Sequence, residues 1–186
     1  MAETTRRRQR VFSGRLLGLE VLDVQLEDGT LAVREIVRHP GASVVLGRLP
    51  DQSFVFVRQY RKPLEQEVLE AVAGGLEAGE TPEACARREM LEETGHAVAS
   101  LRKLGVIFPA PGYTDERLHV YYADLEAGQK AAAADDDERL DVVYIGADGV
   151  EDRIRSGEIG DAKTLAAWLL YLRQVAAAGV AEQGEG

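Results

Sequence analysis

The sequence predicts one α/β domain, a mixed sheet with helices packed on its faces, preceded by an antiparallel β extension. Three observations point there. The first 60 residues read as strand after strand, a helix with capping signals at both ends follows from Thr81, and strands and then helices return behind it. That alternation suits a sheet covered by helices. A length of 186 residues allows one well-formed domain and is too short for two large ones.

Val11 to Leu26 is rich in Val and Leu, and Glu27-Asp28-Gly29 supplies a hairpin turn of the Asp-Gly kind. Leu31 to Arg38 resumes a strand, His39-Pro40-Gly41 breaks it, and Ala42 to Leu46 starts the next. Phe54 to Gln59 alternates apolar and polar residues, and Glu67 to Ala73 is a short apolar run ended by Gly74-Gly75. The helix begins with Thr81 as cap, Pro82 at its first position and Glu83 at its positive end, and Gly95 ends it. Strands return at Leu101 to Phe108, Leu118 to Asp124 and Asp141 to Ile145. A short helix follows from Val150 to Ser156. A last one runs from Asp161 to Ala178, with Leu165, Trp168, Leu169 and Leu172 at helical spacing towards the core. The arginine-rich stretch Met1 to Arg10 reads as a frayed, solvated tail, Ala131 to Asp137 as a loop, and Glu182 to Gly186 as disordered. The expected organisation is an N-terminal β extension over 1–40, a catalytic domain over 41–180 and a tail over 181–186.

Composition narrows the function. The net charge of −10 repels a nucleic-acid duplex but leaves room for a small phosphorylated substrate held through metal ions. No apolar run approaches the roughly 20 residues of a membrane span, and no secretory signal opens the chain. A single cysteine, Cys85, excludes an internal disulfide, and a cytoplasmic enzyme is the default. His39, His96 and His119 show no metal-ligand spacing.

The decisive stretch is Gly74 to Gly95. Glu89, Glu92 and Glu93 stand at i, i+3 and i+4 and share one helix face. Glu89 and Glu93 repel each other across one turn, a small cost that a hard divalent cation relieves. Gly74 and Gly75, after a strand, let backbone approach a ligand. Arg88 sits beside the glutamates and is expected to orient them by charge-assisted bonds.

Gly74, five residues, Glu80, seven residues, then Arg88-Glu89-Met90-Leu91-Glu92-Glu93-Thr94-Gly95 resembles the Nudix box from end to end, with His96 where the family has an aliphatic residue. The resemblance implies an α/β/α sandwich and hydrolysis of a nucleoside diphosphate linked to X, with Mg²⁺ as cofactor and Mn²⁺ as substitute. It implies Glu89 and Glu93 as primary metal ligands, Glu92 as a third ligand or its neighbour, and the Ala73 carbonyl as a further ligand. Glu80 is expected to tie loop to helix.

Outside the box, Arg58-Gln59-Tyr60-Arg61, Glu70-Ala71-Val72-Ala73-Gly74-Gly75, Phe108 to Glu116 and Asp161-Ala162-Lys163-Thr164 are similar to the ADP-ribose pyrophosphatase branch. That similarity implies ADP-ribose as substrate, with GDP-mannose or another nucleotide sugar, or a silent metabolite sensor, as alternatives. Arg61 is expected to meet a phosphate, with Arg58 behind it; the bland reading pairs either with Glu65 or Glu67. Glu116 is expected to bond the terminal ribose or join the metal site. The general base falls to Glu138, then Asp136, with Glu92 or Glu93 as candidates inside the box. Relatives of this branch form homodimers whose N-terminal strands reach the partner, so Arg34 or Arg38 would line the other subunit's pocket.

Overall fold

A computed structural model describes residues 2–129 and 139–176. The chain groups into two compact units, Met1–Gly41 with Phe108–Arg117, and Ala42–Ile107 with Leu118–Gly186.

The first unit is a three-stranded antiparallel sheet, β1 (Glu3–Ser13), β2 (Gly18–Leu26) and β3 (Leu31–Arg38), in that spatial order. Gly29 takes φ +87° in the β2–β3 turn, a conformation that glycine adopts without strain. The arginine-rich segment expected as a frayed tail is instead strand β1, paired from Glu3 against Leu26 to Ser13 against Gly18. Its side chains are exposed throughout, so it lacks the apolar alternation that reveals a strand; pairing with β2 supplies the order. The single strand expected over Val11 to Leu26 accordingly divides at 14–17. Residues 108–117 belong with this sheet: the Val37 N–H donates to the Tyr113 carbonyl at 2.8 Å.

The second unit holds a six-stranded mixed sheet. Its strands are β4 (Ala42–Arg48), β5 (Phe54–Arg61), β6 (Gln66–Gly75), β7 (Val98–Ile107), β8 (Leu118–Leu125) and β9 (Leu140–Ile145), ordered β7-β8-β4-β6-β5-β9. Only the β4–β8 pairing is parallel. The dense apolar runs of β4 and β5 exist because both faces are covered. Val44, Leu46, Phe54 and Phe56 point to one core, which α2 (Ala147–Ser156) and α3 (Ala162–Tyr171) close with Val150, Trp168 and Tyr171. Val45, Val55, Val57 and Val72 point to the other, closed by Ala86 and Met90 of α1 (Pro82–Thr94). The result is an α/β/α sandwich.

Helix α3 ends earlier than expected, passing into a π turn over Leu172–Ala176. Of the four residues expected to face the core, Trp168 is buried and Leu165 packs against the cluster, but Leu169 is 54% exposed and Leu172 37%. Ala167 and Tyr171 take the inward positions, with Phe54 packed edge-on against Trp168 and Tyr171 at centroid distances of 5.0 and 5.1 Å.

Candidate active site

The site is built where β6 ends, a short loop turns back, and α1 begins. Thr81 caps the helix by accepting a bond from the Ala84 N–H at 3.2 Å, and Gly95 closes it in the left-handed conformation at φ 74°. Fixed ends set the helix rotation, so one face carries Glu89, Glu92 and Glu93 and the other buries Cys85, Ala86 and Met90 against the sheet. Met90 also has a backbone partner: a Cβ on Gly47 would come within 2.8 Å of its terminal methyl, so β4 is stripped of a side chain at that point.

Gly74 plays the same part for the carboxylates. A Cβ at this position would fall 1.8 Å from the Glu89 carboxyl carbon, the space that the acid occupies. By contrast, a Cβ on exposed Gly75 meets nothing within 4 Å, and the Gly75 carbonyl accepts from Arg88 at 3.1 Å. Arg88 is the hub. It forks onto Glu80 at 2.8 and 2.9 Å and donates to Glu89 at 2.6 Å and Glu92 at 3.0 Å. Glu80 also accepts from the Glu77 N–H at 3.1 Å, so loop and helix are tied through one carboxylate. The Arg88 guanidinium beside Glu80 holds its carboxyl down at about 2. Glu93 is buried on the same helix.

Glu80, Glu89 and Glu92 thus share the Arg88 guanidinium, with Glu93 buried one turn beyond Glu89. Hard carboxylate oxygens beside a strand end without a side chain suit a divalent cation that shares its coordination with phosphate and water. Among the described residues these groups do not converge on one point as a finished three-ligand cage, since Arg88 stands between three of them. A cation therefore has to compete with Arg88 for Glu89. Ala73, whose carbonyl was expected to join the ligands, pairs with Val44 one residue before Gly74. Cys85 lies against the Gly74 and Gly75 carbonyls at 3.4 and 3.5 Å, and burial pushes its thiol up, away from nucleophilic thiolate.

Arg61 takes neither partner of its bland reading. It forks onto Glu70 at 2.7 Å through both bonds, and Lys163 bonds the same carboxylate. Burial pushes the Glu70 carboxyl upward; the bonds from Arg61 and Lys163 more than offset that and keep it below its ordinary value. Arg58 pairs with Glu158 at 2.8 Å. In the other unit, Arg34 donates to Glu3 at 3.2 Å, Arg38 to Glu20 at 2.9 Å and Asp115 at 2.8 Å, and Glu116 lies 3.6 Å from His39 Nδ1. The Gly41 N–H donates to His39 Nδ1 at 3.0 Å. Glu138 and Asp136 lie outside the described residues.

Sequence reasoning passed over Glu70 and Lys163 as functional groups. The signal was an acid flanked on both sides by apolar residues, Val68-Leu69 before Glu70 and Ala71-Val72 after it, because a buried carboxylate implies a cation brought to it from elsewhere in the chain. His96, at the odd position of the box, is buried and spans the Gly128 carbonyl at 3.0 Å and the Tyr144 hydroxyl at 3.1 Å, which meets its polar needs where an aliphatic residue has none.

The chain is similar to several known proteins. Residues 37–168 match the NUDIX domain. The ADP-ribose pyrophosphatase of Bacillus subtilis (strain 168) is 39% identical over 165 residues, 88% of this chain and 89% of that protein. The methanol dehydrogenase activator of Bacillus methanolicus is 41% identical over 89% of this chain and 90% of its own. A GDP-mannose pyrophosphatase of Shigella flexneri is 31% identical over 77% of this chain and 80% of its own. The crystal structure of an ADP compounds hydrolase shares the fold, with a TM-score of 0.83 at 23% identity over 96% of this chain and 97% of that one.

Proposed function

The chain belongs to the Nudix family, and on that premise we propose that it splits the pyrophosphate of ADP-ribose to AMP and ribose 5-phosphate. Its reaction class is hydrolysis of a nucleoside diphosphate linked to X. One observation carries the reading: the face of α1 that presents Glu89, Glu92 and Glu93 meets β6 at Gly74, where any side chain would displace the Glu89 carboxylate. The 39% identity to an ADP-ribose pyrophosphatase along most of both chains favours ADP-ribose within the class.

Glu89, Glu93, Glu92 and the Ala73 carbonyl would hold the divalent cation, with Mg²⁺ ahead of Mn²⁺. When bound, such a cation neutralises phosphate oxygens and lowers the pKa of attacking water. Arg88 keeps Glu80, Glu89 and Glu92 spaced before substrate arrives and screens their charges from one another. Arg61, gripped by Glu70, keeps donors for a phosphate oxygen, since the fork uses two of its five N–H groups. Arg58 is the weaker candidate because Glu158 occupies it. Glu138 or Asp136 serves as general base, with Glu92 or Glu93 as the alternatives within the helix. The proposed location is the cytoplasm; no helix among the described residues is long and apolar enough to cross a membrane. The partner is a second copy of the chain, with Arg34 and Arg38 presented by the N-terminal sheet.

A second reading, GDP-mannose as principal substrate, draws on the relatives at 31% identity. The two separate in one experiment, product analysis of a panel of nucleoside diphosphate sugars with Mg²⁺ for wild type and Glu93→Gln. The expected outcome is fastest conversion of ADP-ribose to AMP and ribose 5-phosphate, with turnover reduced a hundredfold or more (about 3 kcal/mol or more of barrier) in the variant. Faster conversion of GDP-mannose would replace the substrate. Tight binding of one compound with no turnover of any would make the protein a sensor.

A further inference from the structure

The last turn of α1 places acids where a helix favours bases. It carries Glu92 and Glu93 and no basic side chain, so both charges sit against the negative end of the helix dipole. The final carbonyls of a helix also lack partners within it. A ligand set for a small cation nevertheless has to be held to within about 0.5 Å. Support for this turn has to come from outside the helix.

It comes at His96, the residue just past the Gly95 cap, whose side chain is buried. A carbonyl only accepts, so Nδ1 donates to Gly128 at 3.0 Å, and Nε2 meets the Tyr144 hydroxyl at 3.1 Å. The His96 and Tyr144 rings pack edge to face, with centroids 5.8 Å apart. Gly128 follows β8 at φ +121°, a conformation that favours glycine, and Tyr144 belongs to β9 at the edge of the sheet. Around this ring the Gln129 amide donates to the Thr94 carbonyl at 2.8 Å, and the Glu126 N–H donates to the Ala97 carbonyl at 2.9 Å. One imidazole thus joins three segments distant in sequence: the end of α1, the exit of β8 and the outer strand β9. Both of its partners are exposed residues whose polar groups could turn to water, so the ring creates these tethers rather than answering a buried need of theirs.

We propose that His96 is a positioning residue for the cation ligands, pinning the last turn of α1 to β8 and β9 so that Glu92 and Glu93 keep their places beside Glu89. The proposal rests on the reading of those glutamates as ligands. His96 stands three residues past Glu93, less than the length of one turn, so a shift at the ring passes directly to the Glu93 backbone. An aliphatic side chain at this position would fill the space and tie nothing.

The test compares His96→Leu, His96→Asn and Tyr144→Phe in the full chain, with two readouts that need no turnover. These are Mg²⁺ affinity by calorimetry and amide hydrogen exchange at Gly95, set against Cys85 near the start of α1. His96→Leu should weaken Mg²⁺ binding about threefold to tenfold, the range for losing one net hydrogen bond, and speed exchange at Gly95 while Cys85 is unmoved. His96→Asn, whose amide can still donate to Gly128, should recover at least part of both losses. Tyr144→Phe, which deletes one hydroxyl from a half-exposed ring, should show the same pattern more weakly. Unchanged Mg²⁺ affinity in a folded His96→Leu chain overturns the proposal and leaves His96 as packing. Should that chain not fold, Tyr144→Phe decides by the same criterion. A wild type that turns over no nucleotide sugar, with both effects present, would overturn the proposed reaction and leave the positioning role standing.

Discussion

Glu80 has no direct part in the proposed chemistry, yet its environment sets a measurable pH response. Arg88 holds its carboxyl at about 2, against an ordinary 4.5. A carboxylate whose folded value is depressed stabilises the fold fully above the unfolded value and loses that contribution as pH falls through the folded one. The stability gap between wild type and Glu80→Gln, from urea denaturation, should therefore be constant above about pH 5.5 and close progressively from about pH 4.5 towards 2. A gap that keeps its full size down to pH 2.5 would rule out the Arg88 pairing as its source. At this scale the sequence was informative wherever function lies in local spacing. The i, i+3, i+4 glutamates and Arg88 occupy consecutive turns of one helix, and their mutual contacts follow from helical geometry alone. The Glu70 cluster was not legible in the same way, because Lys163 reaches it across 93 residues of chain.

Among the elements, α1 packs on the sheet chiefly against β4 and β6. Its inward face is small apart from Met90, which is fully buried against the β4–β6 region, opposite Gly47. Met90→Ala leaves a void beneath the carboxylate face and should cost about 2–5 kcal/mol in urea denaturation. Turnover should fall as well, since the glutamates lose the rigid base that spaces them. A loss below about 1 kcal/mol would show that the helix settles into the gap. The bounds of α1 were readable from Thr81-Pro82 and Gly95, whose preferences are local and strong. Strand β1 was not, because four arginines and no apolar alternation give no local reason for extension; its reason is the neighbouring strand. Leu169 and Leu172 misled for a related reason. Helical spacing identifies which residues share a face, but which face turns inward is set by Phe54 and the sheet beneath.

For the whole molecule, the N-terminal sheet poses a question of partners. All 11 residues of β1 are exposed, and Leu31 and Val33 of β3 leave apolar surface in solvent. An edge strand of that length with bare backbone groups invites pairing. Light scattering should give a particle near 41 kDa, twice the 20.3 kDa chain, and removal of β1 should return it to the monomer. A fully active particle of about 20 kDa would exclude any role for a second copy. The sheet-and-helix sandwich was legible in the order of strands and helices along the chain, but β5 was read as alternating, whereas Phe54 to Val57 are all buried because both faces of the sheet are covered.

Cys85 gives this molecule a built-in clock. It is the chain's one thiol, fully buried on the inward side of α1. A thiol reagent can reach it only when that helix leaves the sheet. Under conditions where reclosing outpaces labelling, the alkylation rate reports the opening free energy of the helix that carries the glutamates. Bound cation or substrate that draws those glutamates together would slow the clock, so ligand affinity can be timed without any turnover.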